Sequence, residues 1–144
     1  MASGVVTLIR STALAETAQY AYAATAPADA RLIFLAGSCP LDIAGVTVGQ
    51  GDYAAQAEQC IRNMTTALHK AGATIEDVIS TRVLVASSDR DDLVRAWDVV
   101  RRAFGTHDAP STLLGVTVLG YEHQLVEIEA VAAVRDCPFM RHPA

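Results

Sequence analysis

Between residues 52 and 105 the chain spells a helix, a strand and a second helix, each with its own start and stop signal, and this alternation restricts the fold more than any other feature. Asp52 can act as an N-cap. Behind it Ala57, Ile61, Met64, Leu68 and Ala71 recur every three or four residues, so a helix with one apolar stripe is predicted over 53–71, stopped by Gly72. The run 78–85 is rich in β-branched residues and reads as a strand. Ser87, Ser88 and Asp89 then offer N-caps for a helix to Phe104, with Leu93, Ala96, Val100 and Ala103 or Phe104 on its buried stripe. Gly105 ends it, and Pro110 bars any continuation.

Strands flank this unit on both sides. Residues 5–9 form a first strand, and a short second one is expected around Tyr20 and Tyr22. The run 32–36 is apolar at every position, the pattern of a strand covered on both faces. The glycine-rich stretch 41–51 reads as a loop with an edge hairpin at 46–48, and two strands, 113–119 and 125–134, lie around the polar turn 120–124. The order β-β-β-α-β-α-β-β gives an α+β class, in which the two helices pack on one face of a mixed sheet. At 144 residues with no linker or repeat, this is one domain over 1–144, its core about 5–134 and a tail at 135–144. The other sheet face, lined with Val, Leu and Ala, needs a cover. With 51% hydrophobic and only 19% charged residues, assembly with further copies of the chain is the simplest one.

Charge and cysteine usage remove several functions. Sixteen acidic against eleven basic residues leave a net charge of −5, the wrong sign for a phosphate backbone, so nucleic acid is disfavoured as a partner. Cys39, Cys60 and Cys137 form no CxxC pair, which points to a reducing compartment; no leader or membrane-spanning run is read either, so a cytoplasmic location is expected. His69, His107, His123 and His142 show no metal spacing, and no Walker loop, GxGxxG, GxSxG or HExxH is present. Neither a metal nor a cofactor is expected.

Several places could carry chemistry. Glu127 and Glu129 share one face of an otherwise apolar strand, which suits either a general acid or base or an edge that resists pairing. Arg82 sits mid-strand among Val, Leu and Ile, where a guanidinium needs a carboxylate, from Glu127 or Glu129, or a ligand anion. Trp97 lies off the polar stripe of Asp91, Arg95, Asp98 and Arg102 and either lines a cleft or packs in the ordinary way. Cys39, after Gly37 and Ser38 at a strand end, is the one cysteine placed near a cleft, and it reads equally as an inert small residue. His123 could neighbour Glu127 or be an exposed turn residue.

Several segments resemble the RidA/YjgF family of enamine and imine deaminases, also labelled L-PSP endoribonuclease-like. The matching residues are the run 32–42 with Gly37, Ser38, Cys39 and Pro40; Ala55, Gln56 and Asn63; Lys70 to Ala73; Asp77 to Ile79; and Val126 to Ala130. The resemblance implies a chorismate-mutase-like fold assembled as a homotrimer, with small-molecule clefts between subunits. In the family's deaminases an arginine just before a serine holds the substrate carboxylate, a tyrosine lines the cleft, and a glutamate positions the water that releases ammonia without metal or cofactor. By position Glu127 corresponds to that glutamate, Tyr22, with Tyr20 as rival, to the tyrosine, and Ser111 and Thr112 to the residues after the arginine. At the arginine's own position stands Pro110. A bidentate arginine–carboxylate contact is worth roughly 1.5–3 kcal/mol, so its loss reshapes binding, with Arg82 as a possible substitute anchor. Trp97 stands where the family often has asparagine. The resemblance therefore implies either imine hydrolysis with a changed cleft or a non-catalytic ligand-binding trimer; the ribonuclease label fits a chain of net charge −5 with one lysine, Lys70, poorly.

Overall fold

The computed structural model describes residues 4–17 and 19–136, so Cys137, His142 and the rest of the expected tail from 137 onward lie outside the described residues. The long helix forms as its pattern requires: α1 (Tyr53–Lys70) is capped by the Asp52 carboxylate, which accepts from the Ala55 amide, and it buries Ala57, Cys60, Met64 and Leu68. Gly72, at φ 86°, provides the left-handed turn that ends it. The second helix, α2 (Arg90–Phe104), takes Asp89 as its cap and buries Ala96, Val99, Val100 and Phe104. Leu93 is only half-buried and Ala103 is exposed, so the stripe runs through Val99 instead.

The strands assemble into two sheets. β1 (Thr7–Ile9) pairs antiparallel with β2 (Ala23–Thr25) as a separate ribbon. The main sheet orders β3 (Arg31–Phe34), β6 (Val126–Val134), β4 (Val78–Ala86) and β5 (Ser111–Val116) as β3-β6-β4-β5. The β4–β5 pair alone is parallel, and α2 supplies its crossover. Both helices cover the same face, where Val83, Val85, Val126, Ile128 and Ala130 join the helical stripes in one core.

Three expectations need correcting. β2 follows Tyr20 and Tyr22 and does not contain them. β5 begins at Ser111 and ends at Val116 where 113–119 is expected, and it pairs parallel with β4, an arrangement that the α2 crossover permits. The apolar run at β3 is an edge strand: Ile33 is buried, but Leu32 and Phe34 are 50% and 74% exposed on the face away from the helices. That face also carries Arg82, Leu84, Thr112, Leu114, Glu127 and Glu129, as the strand register requires. Around Asp42 the loop closes a single bridge between Leu41 and Thr47, a minimal form of the expected edge hairpin.

Candidate functional site

Glu127 is held more closely than its strand position alone would require. Its register partner on β4 is Leu84, and the bridge between Ser38 and Ile128 brings the 37–39 segment over the start of β6. Oε1 of Glu127 accepts from the Cys39 thiol at 3.1 Å and from the Gln124 side-chain amide at 3.2 Å. Gly37 lies so close that a Cβ there would stand 2.5 Å from Oε2. The carboxylate is thus clamped through one oxygen while the other lies against a bare backbone. Burial, and then the neighbouring carboxylate, push the Cys39 thiol up to about 12, so it stays a protonated donor.

Buried amides support this arrangement. Gln124 is 4% exposed and Gln56 fully buried. The Gln56 amide donates to the Gly49 and His123 carbonyls, and its oxygen accepts from the Leu125 amide at 2.7 Å, tying α1 to the turn that precedes Glu127. Asn63 donates to the Cys39 and Leu41 carbonyls at 2.8 and 2.9 Å, fixing the other side. His123 turns outward at φ 63° toward Glu122 and is an exposed turn residue.

A second cluster gathers where β4 and β5 meet the Tyr20–Tyr22 segment. Tyr20, Tyr22, Arg82, Pro110, Ser111 and Thr112 line a hollow of about 350 Å³, and Tyr20, Trp97, Ser111, Thr112 and Leu113 line an adjoining one of about 370 Å³. Tyr20 stands edge-on to both Tyr22 and Trp97, with ring centres 6.0 and 6.1 Å apart. The Trp97 indole N–H donates to Gln19, the Tyr22 hydroxyl to the Ala15 carbonyl, and the Thr81 hydroxyl to Ser111 at 2.7 Å. Pro110 puts no cation into this hollow; its carbonyl accepts from the Thr81 amide and anchors the segment to β4. Arg82 engages Glu129 through Nε at 3.1 Å and Nη2 at 3.4 Å, and both side chains are half-exposed.

The sequence-derived candidates therefore divide into two groups. Gly37, Cys39 and Glu127 come together at one place, with Ser38 buried beside them. Tyr22, Arg82, Pro110, Ser111 and Thr112 line one hollow, which Trp97 joins through its neighbour, while Glu127 lines neither. Of the two carboxylates, Glu129 is the partner of Arg82, and Glu127 keeps a different set of neighbours. On α2, Arg95 pairs with Asp92 in place of Asp91, in the expected solvated stripe. Gln124 and Gln19 were not singled out from the sequence. Nothing in a glutamine's spacing shows that its amide is buried, although a glutamine between a turn and an apolar strand is a weak hint. Among the described residues no cluster of three or more His, Cys, Asp or Glu side chains could hold a metal, and no helix is long and apolar enough to cross a membrane.

Residues 10–134 match the family described as Endoribonuclease L-PSP. A RutC family protein of Pyrococcus abyssi is 31% identical over 100 residues, 69% of this chain and 76% of the relative. Protein DfrA of Myxococcus xanthus is 31% identical over 102 residues, 71% of this chain and 76% of that protein. Among solved structures, a Rid family protein from Yersinia pestis superposes with a TM-score of 0.84 at 26% identity, over 90% of this chain and 99% of that one. A YjgF family member from Mycobacterium tuberculosis gives 0.61 at 31% identity, over 90% and 99%.

Proposed function

Because the chain belongs to the Endoribonuclease L-PSP family, the group that includes the RidA and YjgF proteins, we propose that it binds a small metabolite in clefts between the copies of a homotrimer and hydrolyses reactive imines and enamines there. The observation that carries this reading is the clamped carboxylate of Glu127, with one oxygen fixed by Cys39 and Gln124 and the other beside Gly37. A carboxylate so held can accept a proton from water as the water oxygen bonds to an imine carbon. That proton passes to the nitrogen to give a carbinolamine; the carboxylate then takes the proton of the new hydroxyl and hands it to the nitrogen as the carbon–nitrogen bond breaks, and a carbonyl product and ammonia leave. The apolar sheet face, with Leu32, Phe34 and Leu114 exposed around Arg82 and Glu129, supports assembly, since one protomer alone leaves it bare.

Ammonia release from 2-iminobutyrate generated in situ tests the chemistry. The wild-type protein is expected to turn over as a trimer by light scattering, and Glu127→Ala to lose about 10²–10⁴-fold in rate while keeping the same mass. No release above the uncatalysed rate overturns the catalytic step.

A second reading, ligand binding without turnover, is favoured by one observation: Pro110 stands where the family's carboxylate-holding arginine is expected and brings no cation to the hollow it lines. A ligand-dependent rise in melting temperature with no ammonia release distinguishes it. RNA cleavage, which the family's name suggests, finds little support in a chain of net charge −5.

A further inference from the structure

Gln124 spends its side-chain hydrogen bonds inside the protein. Its Oε1 accepts from the Tyr121 amide at 3.0 Å, and its Nε2 donates to the Val126 carbonyl at 3.1 Å and to Oε1 of Glu127 at 3.2 Å. Both Nε2 hydrogens are therefore committed, and the partners fix the orientation of the amide: a flip would set its oxygen against a carboxylate and its NH2 against the Tyr121 N–H. Two of the three bonds satisfy backbone groups of the turn and of the strand that follows. The third serves no backbone group and reaches the carboxylate of Glu127.

The turn that presents Gln124 is strained and braced. His123, at φ 63°, is the one non-glycine residue with positive φ among the described residues. Such a conformation persists only where its surroundings overdetermine it. Here the Glu122 carbonyl accepts from the Thr47 hydroxyl at 2.8 Å, the His123 carbonyl from the Gln56 amide at 2.9 Å, and the Tyr121 carbonyl from the Gln124 N–H at 3.1 Å. The imidazole stands outside this bracing, facing the exposed Glu122.

We infer that Gln124 is a positioning residue for Glu127, aimed by the left-handed turn at His123. Gln124 and Cys39 both donate to Oε1, which leaves Oε2, beside Gly37, as the oxygen that receives the proton of water. The inference rests on the hydrolytic reading above for the reaction, and it adds the residue that orients the carboxylate and the atom that accepts the proton.

Gln124→Met keeps the length and volume of the side chain but has no amide. In ammonia release from 2-iminobutyrate its kcat is expected to lie about tenfold or more below wild type, with KM within about twofold. A residue that only closed the turn would lower the melting temperature and leave the kcat of the folded protein unchanged, and that result overturns the proposal. Glycine takes a positive φ freely and valine does not, so the kcat of His123→Val should lie about fivefold or more below that of His123→Gly. Equal values in the two variants overturn the part assigned to the turn. Nitrogen-edited proton NMR reads the same contact without turnover. The Gln124 side-chain proton that faces the carboxylate should move upfield in Glu127→Ala, and a proton that does not move overturns the proposal. If the wild type releases no ammonia while this proton moves, only the hydrolytic reading falls. If release is robust and Gln124→Met matches the wild-type kcat, only this inference falls.

Discussion

Glu127 and Arg82 lie on the same face of the same sheet, one strand apart, yet their surroundings have opposite character. Glu127 is fixed by a thiol, an amide and a glycine, and behind them Gln56 and Asn63 tie the neighbouring backbone to α1. Arg82 leans on Glu129 in a half-exposed pair beside an open groove with aromatic walls. The difference teaches where variation is tolerated. A group that moves protons depends on geometry held to a fraction of an ångström, whereas a recognition surface can change its residues and thereby its ligand.

The largest test of this contrast removes the support behind Glu127. Gln56→Leu leaves the Leu125 amide and the His123 carbonyl without their side-chain partner, while the Gly49 carbonyl keeps the Asp52 amide, and it should lower the unfolding free energy by about 2–4 kcal/mol in chemical denaturation. A loss under about 1 kcal/mol would show that the rigid end is less rigid than its hydrogen bonds suggest. A smaller effect is expected from Gly37→Ala. The new Cβ must displace the flexible end of Glu127, so ammonia release should fall at least tenfold while the melting temperature moves by no more than about 2 °C. A large fall in melting temperature would mean that the backbone, and not the carboxylate, gives way.

The smallest expected effect concerns the Cys39 thiol. Its ionisation is shifted upward first by burial and then by Glu127, so at pH 8.5, where an ordinary thiol is substantially ionised, Cys39 remains protonated. Alkylation by iodoacetamide should therefore be slow in the wild type and several-fold faster in Glu127→Gln, with the rate in both rising as pH increases. Equal rates in the two proteins would show that the carboxylate adds nothing to the clamp.

Much of the scaffold could be read from residues alone. The Asp52 and Asp89 caps, the α1 stripe and the paired carboxylates of β6 follow from local spacing, which is where sequence periodicity speaks most directly. The partner of β5 could not be read in the same way. Nearness in the chain favours a hairpin with β6, and only the crossover through α2 permits the parallel pairing with β4. The site followed the same division. Glu127 stands out by its spacing, and its role, like the places of Gly37 and Tyr22, follows from a resemblance carried by short motifs, but the amide of Gln124 acts through a burial that no spacing encodes. The bare outer face of β3 is not legible in its sequence, because an all-apolar run looks the same whether its second layer comes from this chain or from another molecule.

The thiol of Cys39 also has a bearing on chemical endurance. Peroxides oxidise thiolates far faster than thiols, and the product would be a sulfenic acid in contact with the carboxylate it now supports. Burial first, and Glu127 second, hold Cys39 in its protonated form, so the donor that steadies the carboxylate is kept in the state that peroxides attack slowly.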